Sequence, residues 1–257
     1  MHACFCVTDD TAEERDDRMR KLTEHIYCMD ADAETDQPFV YYVAGRERSL
    51  LIDAGNSPEN YRRLIRELQN TGLKEPDYCV LTHWHWDHTF GAIEAACPLI
   101  ASEGTDRQLK CVMNWNWDET SVMKRLETGE DIEFTLRCMK KQYGDLTGIR
   151  IRLPEIVFAG RMTIGLGGIT AHLETWDSPH TRDAVMIEIP EERVLIGGDA
   201  HYEDFYNGGV YDQRRLTAFA ARLKEMEFEM YLKGHDEPEI SRVDLLKLLE
   251  EKCRGER

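Results

Sequence analysis

The sequence contains no apolar run that approaches the roughly 20 residues needed to cross a lipid bilayer. Its first residues, MHACFCVTDDTAEERDDRMRK, also lack the basic start and the apolar stretch of a secretory signal. From these two absences we expect a cytoplasmic protein that makes no use of a membrane.

Positive charge is scarce as well. Lysine and arginine total 32 residues against 49 aspartates and glutamates, which gives a formal net charge of −17. No local basic patch offsets the excess, so long-range repulsion opposes binding to nucleic acid or to an anionic membrane. The composition therefore favours a small-molecule substrate, and it leaves the oligomeric state open.

Linker-like and low-complexity segments are absent too, and 42% of the 257 residues are hydrophobic. A chain of this kind can bury one large core, so we predict a single domain over residues 1–257. The eight cysteines are scattered, and contexts such as DYCVLT are typical of buried free thiols. We interpret Cys4 and Cys6 as spectator thiols rather than as a metal or redox pair.

Short β-branched and aromatic runs predict a meander of three strands at the start, namely HIYCMDA, FVYYVAG and SLLIDAG. SPENYRRLIRELQNTG has one apolar face between a Ser-Pro start and a glycine, which predicts a capped helix. DYCVLT reads as a continuous apolar strand, and FGAIEAAC suits a short helix.

Residues 103–150 are rich in Met, Glu, Lys and Arg at helical spacing, which predicts an inserted pair of helices. Strand signals return in EIVFAG, MTIGLG, GITAHLETWD, AVMIEIP and RVLIGGD, followed by a helix, the strand FEMYLKGHD and a closing helix. This order predicts an α/β (α+β) protein with two sheets packed face to face and helices on the outer faces.

The stretch LTHWHWDHTFG places three of the nine histidines and an aspartate within six positions. Side chains two apart in an extended segment point the same way, so His83 and His85 can bind one ion together. Asp87 and His88 follow where the chain turns into a helix, and the turn directs them toward a second position. Imidazole and carboxylate are ligands of zinc, iron and manganese, so the stretch predicts a metal site.

Three later residues lie at strand ends or in loops, where the backbone can direct them to the same edge: His180, Asp199 and His235. The complete prediction assigns His83, His85 and His180 to a first ion, Asp87, His88 and His235 to a second, and Asp199 to a bridge between them. The ligand types favour two divalent ions, zinc first, with iron or manganese as alternatives.

With these residues the sequence resembles the metallo-β-lactamase superfamily. THWHWDH is similar to its HxHxDH signature, SLLIDAG to its early motif with Asp53, and the later His, Asp and His follow in order, from about residue 39 to 240. The resemblance implies a four-layer αββα sandwich with a helical insertion and a binuclear centre. It also implies that Asp53 supports the loop that carries the ligands.

Such a centre would lower the pKa of a shared water, so that a hydroxide bridging two metal ions attacks an ester or lactone bond. Asp87 and Tyr202 are the candidate catalytic residues. The place of Tyr202 in GGDAHYEDFY resembles that of a tyrosine in acyl-homoserine lactonases, which donates a hydrogen bond to the substrate oxyanion. An equally open interpretation makes Tyr202 an aromatic plug under the following helix.

Other activities stay open as alternatives. Thioester hydrolysis of the glyoxalase II kind would require a basic pocket, for which the sequence offers only scattered cations such as Arg182, Arg215 and Lys233. Hydrolysis of β-lactams is chemically possible. A different class of function is a non-catalytic metal-binding sensor or scaffold.

Several other aromatic side chains have less decisive contexts. We expect His201 to be an ordinary exposed residue rather than an accessory proton carrier. Trp84 and Trp86 are expected to pack around the stretch LTHWHWDHTFG, residues 81–91, which is called the histidine loop below. Trp115 and Trp117 either wall a substrate pocket or anchor the helical insert.

Overall fold

Two β-sheets stack face to face in the computed structural model, which describes residues 18–255. Cys4 and Cys6 lie outside the described residues. Within residues 18–255 the first sheet has the strand order β1-β2-β3-β4-β5-β6-β7. Its strands are β1 (Arg20–Lys21), β2 (Ile26–Met29), β3 (Val40–Ala44), β4 (Ser49–Ile52), β5 (Tyr78–Val80), β6 (Leu99–Ser102) and β7 (Ile156–Phe158). The pairs from β1 to β4 are antiparallel and those from β4 to β7 are parallel.

The second sheet of this range has the order β13-β12-β11-β10-β9-β8. Its strands are β8 (Arg161–Gly165), β9 (Thr170–Trp176), β10 (Ala184–Ile189), β11 (Val194–Gly198), β12 (Met230–Lys233) and β13 (Glu239–Ser241). The pair β11 and β12 is parallel and the other pairs are antiparallel. The short strands β6 and β13 complete the sheets at places where the sequence analysis predicted no strand.

Seven α-helices lie within residues 18–255. They are α1 (Pro58–Thr71), α2 (Trp86–Thr89), α3 (Glu103–Val112), α4 (Glu119–Thr128), α5 (Glu133–Tyr143), α6 (Gln213–Glu225) and α7 (Arg242–Cys253). The predicted capping of α1 is present, because the Ser57 side chain accepts from the Asn60 amide and Gly72 ends the helix in the left-handed conformation. None of the helices within residues 18–255 is both long and apolar enough to cross a membrane.

Three buried layers hold these elements together. Alternating residues of both sheets, such as Val43, Ile52, Leu173 and Ile187, form the core between them. The opposite faces pack against α1 and α3 on one side and against α6 and α7 on the other. This arrangement confirms the predicted αββα sandwich and brings the carboxyl ends of β5 and β11 to a common edge.

The helical segment 103–150 differs from the predicted pair, because it contains three α-helices and a short 3₁₀ turn, Leu146–Gly148. The first of them, α3, places Leu109 in the apolar layer over the first sheet and so belongs to the sandwich. Helices α4 and α5 instead share a separate apolar cluster with Trp86 and Phe90 of the histidine loop. That cluster anchors the pair directly beside the predicted metal site.

Candidate metal centre

The loop after β5 and the short helix α2 together carry the histidine motif. Strand β5 is buried in the first sheet, so the loop that follows begins at the sheet edge and its side chains stay in the interior. His83, His85 and His88 are all almost completely buried, at 2%, 6% and 0% exposure. A buried cluster of imidazoles needs partners, because a buried polar group without one is costly.

The first of two ligand clusters joins the loop to the segment after β9. The Nε2 atoms of His83 and His180 each lie 3.0 Å from His85 Nδ1. Nitrogen ligands of one tetrahedral zinc ion, at about 2.0–2.1 Å each, lie roughly 3.3 Å apart. The three rings therefore present their nitrogens to one point at nearly the spacing that a single ion requires, as the sequence predicted.

The second cluster lies beside the first and contains carboxylates. Asp87 Oδ2 is 3.1 Å from the Nε2 atoms of both His88 and His235. Asp199 Oδ2 is 3.3 Å from His88 Nε2 and 3.5 Å from His235 Nε2. In this cluster, as in the first, one ligand atom from each residue lies within 4.8 Å of all the others.

Asp199 connects the two clusters. Besides its contacts in the second cluster, its Oδ2 atom lies 3.7 Å from His180 Nε2 of the first. Its other oxygen, Oδ1, is buried and has no hydrogen-bond partner among the described residues. The position fits the bridge that the sequence predicted, and the set of imidazole and carboxylate donors fits two divalent ions without identifying the metal.

Hydrogen bonds behind the clusters orient three of the ligand rings, those of His83, His88 and His180. His180 Nδ1 lies 2.7 Å from the carbonyl oxygen of Glu203, which can only accept, so the proton is on Nδ1 and the Nε2 lone pair is free. His83 Nδ1 lies 3.0 Å from Thr82 Oγ1, and His88 Nδ1 lies 2.7 Å from Asp53 Oδ2. Partners of this kind set the tautomer and orientation of metal-binding histidines.

Asp53 holds the whole loop. Its Oδ1 accepts from the Thr82 amide at 2.7 Å, and its Oδ2 accepts from the Thr82 hydroxyl at 2.8 Å as well as from His88. It lies just beyond β4 with a φ of 66°, a left-handed conformation that aspartate tolerates better than most residues. The resemblance implied this supporting role, and the hydrogen bonds fit it.

Electrostatics distinguish the two clusters. Burial, followed by the neighbouring imidazoles, lowers the pKa of His83 and of His85 far below the usual value. Both rings are therefore neutral and can offer a nitrogen lone pair to a metal ion. Burial acts in the same direction on His88 and His235, but Asp87 and Asp199 raise the pKa of each well above the usual value. The carboxylates therefore favour positive charge at the second cluster, which a divalent cation supplies.

A cavity of about 990 Å³ opens onto both clusters, and His85, Asp87, His180, Asp199 and His235 all face it. The segment that begins α5 supplies part of its wall through Ile132, Phe134 and Thr135. The start of α5 thus shapes the space in front of the ligands.

Tyr202 also lines the cavity, and its hydroxyl donates within the protein. The hydroxyl oxygen lies 2.9 Å from the carbonyl oxygen of His235 and 2.9 Å from Asp236 Oδ2. Burial, then Asp199 and Asp236, raise the pKa of the Tyr202 phenol well above the usual value, so that it keeps its proton.

The expectation that His201 is exposed was wrong. Its ring is 2% exposed and stacks on Tyr202 at a centroid distance of 4.0 Å. Burial lowers the pKa of His201 to about 3, so the ring is neutral and ill suited to carry a proton. No local pattern in the sequence indicates this burial, because the packing partner Tyr231 comes from a distant strand.

The tryptophans pack as anchors. Trp86 is buried in the cluster shared with α4 and α5, and Trp84 packs against it. Trp115 and Trp117 pack against each other, with centroids 5.8 Å apart, and the Arg125 guanidinium lies over both rings at 4.5 Å and 4.8 Å. Neither tryptophan lines the cavity. Of the two interpretations left open by the sequence, the anchor fits this packing.

Several cavity residues were not singled out by the sequence analysis, among them Tyr206 and Asp36. Tyr206 packs against the ring of His85 with a centroid distance of 4.9 Å. Asp36 belongs to the turn between β2 and β3, far from any motif. Only the three-dimensional proximity of that turn to β12 brings Asp36 to the cavity.

Comparison with known proteins agrees with this geometry. The model of the metallo-beta-lactamase superfamily matches residues 33–234. The chain therefore belongs to the metallo-beta-lactamase superfamily.

Individual relatives are more distant. A probable metallo-hydrolase of Methanocaldococcus jannaschii is 35% identical over 86 residues, which is 32% of this chain and 38% of the relative. A stereoselective inverting sec-alkylsulfatase from a Pseudomonas species has a TM-score of 0.67 at 14% identity, over 92% of this chain and 41% of that one. A metallo-beta-lactamase from Pontibacter korlensis has a TM-score of 0.61 at 18% identity, over 91% and 98%. The likeness to the two solved structures shows the fold, and the chain spans less than half of the sulfatase.

Proposed function

We propose that the protein is a metal-dependent hydrolase that cleaves an ester or lactone bond in a small molecule. The observation that carries the proposal is the pair of ligand clusters, joined by Asp199, at the inner end of a cavity of about 990 Å³. A cavity of this volume matches the usual size of small-molecule sites. The cytoplasmic location stays a prediction from the sequence.

Seven side chains hold the cations in this proposal: His83, His85 and His180 at the first site, Asp87, His88 and His235 at the second, and Asp199 at both. When bound, two divalent ions supply a hydroxide nucleophile near neutral pH and polarise the substrate carbonyl. Asp87 faces the cavity and is positioned to orient the nucleophile. Burial of the ligands excludes bulk water and strengthens every charge interaction in the site.

Turnover by metal-loaded protein tests the function. The panel contains chromogenic esters, lactones, thioesters, β-lactams and, because of the sulfatase likeness, a secondary sulfate ester. We expect ester or lactone turnover that disappears with chelation and returns with zinc, manganese or ferrous ion, together with close to two metal ions per chain. Tight metal binding without turnover of any compound would support a non-catalytic metal-binding sensor instead. Faster turnover of a thioester or a β-lactam than of esters and lactones would make that compound class the substrate.

We assign to Tyr202 a hydrogen bond to the oxyanion of the substrate. The Y202F variant is then expected to lower kcat on the order of a hundredfold with little change in KM, as the loss of one oxyanion donor does. The hydroxyl also lies 2.9 Å from the carbonyl oxygen of His235, so metal content is measured in parallel. An unchanged kcat, or a loss of activity explained by loss of metal, would assign Tyr202 to packing.

A further inference from the structure

The wall of the cavity outside the metal ligands is acidic. Asp30, Asp36, Asp236 and Glu237 line it, whereas Arg20 is the one lysine or arginine among its lining residues within the described range 18–255. Arg20 is already paired, because its guanidinium lies 2.9 Å from Asp30 Oδ1. An anionic group on a substrate would therefore find no free cationic side chain in this wall.

Asp36 is the carboxylate that is best placed to recognise charge. It is half-buried, and within residues 18–255 its side chain makes neither a hydrogen bond nor an ion pair. Asp236, in contrast, accepts from the Tyr202 hydroxyl, and Glu237 is exposed. Burial, then the nearby Asp87 carboxylate, raise the pKa of Asp36 to about 8, so its charged form depends on a cationic partner that comes close to it.

The turn that carries Asp36 is fixed on several sides. Asp32 and Gln37 close it with two backbone hydrogen bonds of 3.0 Å and 2.9 Å. The Thr35 carbonyl accepts from the Asn56 side chain at 2.9 Å, and Glu34 pairs with Lys141 of α5 at 2.5 Å. Asp36 is thus already held at the cavity before a ligand binds. A contact with it therefore costs little conformational entropy, which favours selective binding.

Apolar side chains complete the wall. Ile132 and Phe134 come from the segment around the start of α5, and Phe205 from the loop after β11. Phe134 and Phe205 are 43% and 47% exposed and present apolar surface to the cavity. Together with the carboxylates, these rings favour a substrate with both an apolar part and a positive charge.

We propose that the cavity selects substrates that carry a protonated amine beside an apolar chain, with Asp36 as the specificity-determining residue. This inference rests on the proposed hydrolase function and narrows its substrate class. Substrates with a carboxylate, phosphate or sulfate away from the scissile bond are disfavoured, because the wall would repel them. Glutathione thioesters and the carboxylates of β-lactams fall into that disfavoured group.

Three p-nitrophenyl esters with acyl chains of equal length that end in an ammonium, a methyl or a carboxylate group test the selection. For metal-loaded protein at low ionic strength we expect kcat/KM to fall in that order. The ammonium-to-carboxylate ratio is expected to reach roughly tenfold and to shrink with added salt. The D36N variant should reduce the ratio about fivefold, a size typical of one partly screened ion pair.

The E127Q variant is the matched control, because it removes one negative charge from an exposed position on α4 outside the cavity. Equal effects of D36N and E127Q on the ratio, or faster turnover of the carboxylate ester, would overturn the inference. A second measurement does not depend on turnover: quenching of tryptophan fluorescence by hexylammonium should saturate at lower concentration than by hexanol, and D36N should remove the difference. If no ester is hydrolysed but hexylammonium still binds more tightly than hexanol, the hydrolase function is rejected and the charge selection stands. If hexylammonium and hexanol bind with equal affinity, the charge selection is rejected.

Discussion

Replacement of Asp199 with alanine is expected to lower kcat/KM by on the order of a thousandfold or more, because this one carboxylate joins the two ligand clusters and the proposed reaction requires both cations. Its Oδ2 atom lies within 3.7 Å of ligand nitrogens from both clusters, on His88, His235 and His180. No other carboxylate in the described part of the chain shares contacts with the two groups. Its loss leaves the second cluster with Asp87 as its remaining carboxylate.

Metal content distinguishes this effect from unfolding. We expect D199A to retain the first ion, which three histidines hold, and to lose most of the second, as measured by elemental analysis after gel filtration. The D177N variant is a suitable control, since Asp177 is exposed and pairs with Arg215 at 2.9 Å away from the ligands. Two tightly bound ions and near-normal activity in D199A would contradict the bridging role.

Local rules in the sequence were sufficient for the ligand set. His83 and His85 are two apart in an extended segment, and this spacing alone directs both rings to one side. The later ligands follow buried apolar strands, and the end of such a strand must lie at a sheet edge. Asp199 directly follows β11, and His235 follows β12 after Gly234, so a parallel pair of strands delivers both to one place.

The surroundings of the ligands could not be predicted in the same way. Asp36 reaches the cavity because the turn after β2 packs near β12, a contact between residues about 200 positions apart: the Phe39 amide donates to the Gly234 carbonyl at 2.7 Å. His201 is buried by Tyr231, which lies on another strand. Such contacts form only when the two sheets have packed together, so the local alternation of polar and apolar residues does not predict them.

The helical segment illustrates a second limit. Helical spacing over residues 103–150 identified helices, but it did not separate α3, which packs on the first sheet, from α4 and α5, which pack on the histidine loop. All three have an apolar face, and the face alone does not specify which neighbour covers it. Strands β6 and β13, of four and three residues, were also missed by the sequence analysis.

The D53N variant is expected to weaken metal binding at the second site by roughly ten- to a hundredfold, although Asp53 contacts no ion in the proposed centre. Asparagine tolerates the left-handed backbone at this position, where φ is 66°, so the fold of the loop is kept. Its oxygen can still accept from the Thr82 amide, but its NH₂ group then faces His88 Nδ1. Two donors cannot bond, so His88 must move its proton to Nε2, the atom that faces the cation. The ring then presents an N–H where the ion requires a lone pair, much as loss of a buried aspartate imposes the wrong histidine tautomer in other enzymes.

Competition with a zinc chelator measures this loss, and a urea titration of the metal-free protein separates it from a loss of stability. The D77N variant is the matched control, because Asp77 is half-buried and accepts from the amide and the hydroxyl of Ser49, at the end of β4 opposite to Asp53. D77N is expected to reduce the free energy of unfolding by about 1 kcal/mol and to leave zinc affinity within a few-fold of the original, as loss of a hydrogen-bond acceptor away from the ligands does. D53N should instead lose zinc affinity beyond any change in stability. Equal zinc affinities in the two variants would show that Asp53 supports the fold of the loop and does not set the tautomer of His88.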